Sequence, residues 1–382
     1  PAPSLPPMAS RGRWARLGGS MWRKPRVVTP RIAGLRTPWL PLATLPNARQ
    51  GASPCPVAPE ASAASEESVR SRGDPGAHAA LSSSAKTFFL ETHGCQMNIA
   101  DSEVVRSVLR DDGWVEADGP DGARVLLTNT CSVREKAENK VRTRVSQWRA
   151  GFAGRRIGVL GCMASRLREE LIDKGAADLA AGPDSYRRLP ALLAALDSGA
   201  PAAMDTQLSL EETYADIRPV REAGAGVTAY VTIMRGCNQM CAYCVVPFTR
   251  GRERSRPLAT IVEECQRLAD SGVREIVLLG QNVNSYMDRG NTGDALLPGT
   301  PGPLPRTDYE ATEGFGNMFK ARGGDAFRFG ALLRAVAGVH PDVRVRFTSP
   351  HPKDFPPDVL RLIAETPNIC KHLHLPAQSG ST

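Results

Sequence analysis

From residue 86 onward, short β-rich runs alternate with helical ones, and nothing else constrains the fold of this chain as strongly. Residues 86–92, 124–129 and 156–160 read as strands, and 177–180 as the start of a fourth. Between them, residues 101–110, 133–149 and 167–174 carry helical periodicity, with Asp101 or Ser102 placed to cap the first helix. Strands alternating with helices predict a parallel α/β sheet. Residues 182–226 hold one helix, at 189–196, and a connector. The alternation then resumes. Strands are predicted at 227–234, 275–279, 343–347 and 371–375, and helices at 261–271, 330–339 and 357–365. Each of these strands runs into small or polar residues, which predicts a β/α barrel with its active face at the strand ends. Residues 287–326 are rich in Gly and Pro and read as a surface insertion.

In a parallel sheet, ligands bind beyond the carboxyl ends of the strands. Cys95, Cys131 and Cys162 each fall two or three residues after a predicted strand. Singly, each is an ordinary small buried residue. In register after three successive strands, they predict a shared metal site on one sheet edge. A second set lies in residues 235–256, RGCNQMCAYCVVPFTRGRERSR, where Cys237, Cys241 and Cys244 have the spacing C-x3-C-x2-C. Three thiolates on one loop can hold three irons of a cubane [4Fe–4S] cluster and leave the fourth open to a small molecule. Zinc would ask for four ligands, and the next cysteine, Cys265, sits in a helical pattern. Disulfides fit poorly with an odd total of nine cysteines and no secretory signal. The loop resembles that of the radical S-adenosylmethionine (SAM) enzymes.

Charge separates the chain into two parts. Residues 1–84 carry 11 Lys or Arg against 4 Asp or Glu, and the remaining 298 residues carry 37 against 36. The basic balance therefore belongs to the N-terminal stretch and gives no sign that the folded part binds nucleic acid. Residues 1–59 contain no acid and nine Arg or Lys, the composition of a mitochondrial targeting segment, and 60–84 read as a Ser/Ala/Gly-rich linker. The whole of 1–84 is expected to be a disordered leader. No window approaches eighteen uninterrupted apolar residues, so no membrane span is expected.

Seven motifs carry a resemblance that covers nearly all of residues 85–382. They are ETHGCQMNIADSE (91–103), NTCSVREKAE (129–138), GCMA (161–164), the cysteine-rich loop, GQNVNSY (280–286), SPHPKDF (349–355) and HLPAQSGS (374–381). Together they resemble the radical-SAM methylthiotransferases. The GCQMN form at 94–98 is similar to the branch acting on N6-isopentenyladenosine in tRNA, and the leader and insertion to its mitochondrial animal member. The resemblance implies an N-terminal flavodoxin-like parallel α/β methylthiotransferase domain (85–200), a linker (201–226) and an incomplete radical-SAM barrel (227–382). It implies that Cys237, Cys241 and Cys244 hold the SAM cluster, and that Cys95, Cys131 and Cys162 hold an auxiliary [4Fe–4S] cluster supplying sulfur. One SAM would methylate that sulfur. A second would yield the radical that removes hydrogen from adenine C2, where the methylthio group is placed. Tyr243, Gln281, Asn282, Ser349 and Gln378 are candidates for contact with SAM. The implied partners are the tRNA anticodon loop, an electron donor such as a ferredoxin, and a cyclin-dependent kinase activator protein, in the mitochondrial matrix. Family members continue past QSGS with further barrel units and a basic tRNA-binding module. The rival expectation is a truncated, non-catalytic iron–sulfur or interaction isoform.

Overall fold

The computed structural model describes residues 85–376, apart from Arg134 and residues 222–225, 291–302, 310 and 313–324. The leader, its targeting segment and linker, and Gln378 lie outside the described residues.

The first region is a six-stranded parallel sheet. Its elements are β1 (Thr87–His93), α1 (Gln96–Asp111), β2 (Val115–Glu116), β3 (Val125–Thr130), α2 (Glu135–Gly151), β4 (Arg156–Gly161), α3 (Cys162–Leu167), α4 (Glu169–Asp173), β5 (Leu179–Ala181), α5 (Leu189–Asp197) and β6 (Ala203–Asp205). The spatial order β2-β1-β3-β4-β5-β6 is the flavodoxin-like arrangement, with the order reversing between β1 and β3. Every residue of β3 is buried, as a central parallel strand covered on both faces requires. Its alternating side chains go to opposite layers. Leu127 packs with Val105, Leu109 and Leu193 on one side, and Leu126 with Val141, Val145 and Trp148 on the other.

Two expectations are corrected here. The first helix starts at Gln96, not near Asp101, because Asn98 Oδ1 accepts from the Cys95 backbone N–H (3.2 Å) and closes the turn six residues earlier. The stretch 201–226, expected as a linker, instead adds β6 to the sheet edge. Beyond β6 the chain still packs, with Tyr214 buried and stacked on Tyr186 at 5.8 Å. Three-residue strands escape a sequence reading because they are too short to show a period.

The second region holds β7 (Thr228–Thr232), β8 (Met234–Arg235), α6 (Val246–Thr249), β9 (Arg254–Ser255), α7 (Leu258–Asp270), β10 (Glu275–Leu279), β11 (Met287–Asp288), β12 (Phe327–Arg328), α8 (Phe329–Val339), β13 (Arg344–Phe347) and α9 (Pro357–Glu365). Strands β13, β10 and β7 form a parallel sheet in that order, and α7, α8 and α9 pack on one face of it. The insertion is closed at its base by the antiparallel pair β11–β12. Residues 371–375 do not form the strand expected of them. Just before them, an isolated parallel bridge joins Val345 to Ile369. In that register β13 ends at Phe347 by the time the chain reaches Lys371, so the following residues have no ladder to join.

Helix α1 lies between the two sheets. Val105 and Leu109 face the first, while Ala100 and Met97 pack against Val277, Leu279 and Tyr230 of the second. The same helix therefore places the strand ends of both sheets near one another.

Candidate metal centres

The first cysteine set is assembled by sheet register. His93 of β1 lies beside Thr130 of β3, and Thr130 beside Gly161 of β4. Cys95, Cys131 and Cys162 therefore follow three adjacent strands at their carboxyl ends, astride the switch point between β1 and β3. Gly94 turns the chain into α1 with φ +126°, and a Cβ there would stand 2.7 Å from the Cβ of Cys131. A buried amide lattice supports the turn. Asn129 Nδ2 donates to the Asn98 carbonyl (3.1 Å) and to Ser102 Oγ (3.0 Å). Cys131 and Cys162 are buried and Cys95 is half-buried. The Val133 N–H donates to Cys131 Sγ (3.3 Å). A hydrogen bond with Cys131 brings the Cys95 thiol down to about 6 against the effect of burial, with help from the Arg250 guanidinium. The same bond and burial push the Cys131 thiol up.

The second set is local. Strands β8 and β9 pair antiparallel and close the loop at its base. Gly236 has φ +76°, and a Cβ there would stand 2.0 Å from the Arg252 carbonyl oxygen. The Cys237 N–H bonds the Gly251 carbonyl (3.0 Å), and Gln239 N–H donates to Cys237 Sγ (3.4 Å). Burial pushes the Cys237 thiol up to about 11. Cys241 and Cys244 are half-buried on the outer turn.

Between the two sets lies a buried ionic network that the sequence reading did not single out. Asp101 accepts from Arg235 Nη1 (2.8 Å) and from Arg250 Nη2 (2.7 Å). Asp184 accepts from Arg254 Nη2 (2.8 Å), and Arg235 Nε stands 3.7 Å away. Burial opposes ionisation of Asp101, but Arg235 and Arg250 hold its carboxyl below the usual range. All three arginines belong to the cysteine-rich loop and both aspartates to the first region. Two of the three arginines, Arg250 and Arg254, stand in the run RGRERSR and the third, Arg235, precedes the first cysteine of the loop.

The other candidates divide. Gln281 Oε1 accepts from the Gly236 N–H (2.6 Å), and its amide faces Met97 of α1. Asn282 is buried and donates to Glu253 (3.1 Å) and to Asp354 (3.4 Å), while its Oδ1 has no partner. Glu253 in turn accepts from the Asn238 N–H, one residue after Cys237. Ser349, with φ +59°, stands at the end of β13 and accepts from Val283 N–H through its carbonyl. Tyr243 is 68% exposed beside Cys244. Among the described residues, no three His, Cys, Asp or Glu side chains converge on a single metal-ion position. A cubane cluster asks for something else, since each thiolate binds a different iron. The donors suit it: two sets of three thiols, with backbone N–H groups aimed at sulfur.

Residues 87–182 match a family described as "Uncharacterized protein family UPF0004", and residues 231–382 match the Radical SAM superfamily. A Caenorhabditis elegans "CDK5RAP1-like protein" is 48% identical over 78% of this chain and 54% of its own length. The Rattus norvegicus "Mitochondrial tRNA methylthiotransferase CDK5RAP1" is 48% identical over 77% and 50%. A "tRNA-2-methylthio-N(6)-dimethylallyladenosine synthase" of Amoebophilus asiaticus is 49% identical over 78% and 57%. The chain spans about half the length of these curated relatives. Both regions thus match family models, the second that of the Radical SAM superfamily, and over about half of their length the matched relatives named tRNA methylthiotransferase or synthase are similar to this chain.

Proposed function

We propose that this chain carries the two iron–sulfur sites of a mitochondrial tRNA methylthiotransferase. In this reading, Cys237, Cys241 and Cys244 hold the cluster that binds SAM, and Cys95, Cys131 and Cys162 hold the auxiliary one. SAM and [4Fe–4S] clusters are the cofactors of the family, and the first supplies a carbon-centred radical while the second supplies sulfur. The product is 2-methylthio-N6-isopentenyladenosine next to the tRNA anticodon. The observation that carries the reading is the register of three cysteines at adjacent strand ends, tied by buried ion pairs to a loop bearing three more.

The chain's own residues supply position and dryness. The β8–β9 pair and the Gly236 contact hold Cys237 against the mouth of the second sheet. Asn282 presents an unpaired Oδ1 there, suited to accept from the amino or hydroxyl groups of SAM. Glu253 fixes Asn282 and the backbone after Cys237 at once. Ser349, just past β13, and Gln378, outside the described residues, are kept as candidate contacts, and Tyr243 as an exposed ring beside Cys244. An electron donor such as a ferredoxin and a cyclin-dependent kinase activator remain proposed partners, and the mitochondrial matrix the proposed location.

Anaerobic reconstitution with iron and sulfide counting tests this. The 382-residue chain should take up about eight irons. Four irons, or none, would show that one triad or both are not cluster sites. A reporter carrying residues 1–59 should enter mitochondria, and a cytosolic reporter would remove the location from the proposal.

A further inference from the structure

Arg250 sits where the two cysteine sets meet. It belongs to the loop of Cys237, Cys241 and Cys244, yet its Nε donates to the Sγ of Cys162, a member of the other set, at 3.2 Å. Its Nη2 is held by Asp101 at 2.7 Å, so the guanidinium has one orientation. It is 4% exposed. A neutral thiol is a weak acceptor for such a donor, whereas a thiolate is a strong one.

The charge around it does not balance. Arg235, Arg250 and Arg254 are buried, and the carboxylates that pair with them are Asp101 and Asp184. Three guanidiniums against two carboxylates leave one positive charge, in a site shielded from water, for the neighbouring sulfurs to meet. Uncompensated buried charge is costly, so the arrangement calls for an anion. An oxidised cubane core carries two positive charges, and three thiolates carry three negative ones, leaving one negative charge. That anion matches the excess.

We propose that Arg250 is a positioning residue for the auxiliary cluster: it pins the Cys162 thiolate to the SAM loop and, as the member of a network with one more guanidinium than carboxylates that touches a cluster ligand, raises that cluster's reduction potential. The inference rests on the assignment of Cys95, Cys131 and Cys162 as cluster ligands. The redox step is a one-electron one. An electron from a single-electron donor, a reduced ferredoxin or dithionite in the cuvette, takes the core from its 2+ to its 1+ state, with no bond made or broken. The added negative charge is stabilised by the guanidinium, which therefore favours reduction.

The test uses the 382-residue chain with Cys237, Cys241 and Cys244 all replaced by Ala, so that only the auxiliary cluster is present. After anaerobic reconstitution, iron is counted and the midpoint potential is followed by electron paramagnetic resonance during dithionite titration. Relative to this parent, Arg250→Gln should lower the equilibrium constant for reduction about tenfold, which is about 59 mV for one electron. Arg250→Lys, which keeps a cation, should recover most of it. Loss of iron from the Gln variant with retention in the Lys variant also supports a charge role. Equal potentials in the parent and the Gln variant overturn the proposal, and so does loss of iron from both variants with unchanged thermal melts. If Arg250→Gln does not fold, Asp101→Asn carries the test with opposite sign, since it increases the positive excess. Its midpoint should rise, and one that stays or falls overturns the proposal. Absence of four irons from the parent would instead overturn the assignment of the triad, and this proposal with it.

Discussion

Two cysteine triads stand a short way apart in one molecule, and they are built by opposite means. Cys237, Cys241 and Cys244 span eight residues and need only a loop, a hairpin base and one glycine in a left-handed conformation. Cys95, Cys131 and Cys162 span 68 residues and need three parallel strands in register. The distributed site exists only when its sheet is folded. The two are joined by arginines of the loop that are buried against aspartates of the sheet region. Buried ion pairs, and not apolar packing alone, hold the loop of one set against the sheet that carries the other.

The sharpest way to break the comparison is to delete each triad in turn. Replacing Cys237, Cys241 and Cys244 by Ala should remove about four of eight irons and abolish SAM cleavage. Replacing Cys95, Cys131 and Cys162 should remove the same amount of iron but leave reductant-driven SAM cleavage intact, with no methylthiolated product. Equal loss of SAM cleavage in both variants would erase the division of labour.

The link between the sites comes next. Asp184→Asn strips Arg254 of its carboxylate partner at a fully buried position, and the cost should be about 3–5 kcal/mol in urea unfolding of the metal-free chain. A change below about 1 kcal/mol would mean that the loop is not anchored through this pair.

The thiols should also differ when no metal is bound. Cys95 falls to about 6 and Cys237 rises to about 11. At pH 8, Cys95 is therefore a thiolate and Cys237 a thiol. Cys95 should be alkylated by iodoacetamide about 3- to 10-fold faster, since the higher basicity of Cys237 recovers most but not all of its deficit in thiolate. Lowering the pH through 6 should slow Cys95, and raising it toward 11 should speed Cys237. Matching rates at pH 8, read by peptide mass spectrometry, would show that the two environments are alike.

The smallest expected effect compares the glycines that precede the first cysteine of each triad. Gly236→Ala drives a Cβ onto a backbone carbonyl at 2.0 Å and should cost about 3 kcal/mol. Gly94→Ala meets the Asn98 side chain at 2.5 Å and the Cys131 Cβ at 2.7 Å, side-chain rather than backbone atoms, and should cost about 2 kcal/mol. The reverse order in thermal melts would mean that the amide lattice under Cys95 is the stiffer support.

Much of this was legible beforehand, and the reasons for the misses are physical. Long buried strands such as β3 and amphipathic helices such as α7 announce themselves by period. Short pieces such as β6 do not. Asp101 read as a helix cap because Asp is common there, but Asn98 closes the turn first and leaves Asp101 to the interior. The predicted strand 371–375 failed because β13 ends before it can be paired.

The sequence by itself determined the alternation of strands and helices, both cysteine sets and the resemblance to the methylthiotransferases. These depend on residue type and spacing, which are one-dimensional facts. Only the tertiary structure decided that α1 lies between two sheets, and that Arg250, on the loop of one triad, bonds Cys162 of the other. Residues 88 positions apart meet because two sheets pack across a shared helix, and a buried guanidinium must find its anion wherever the fold brings one within reach.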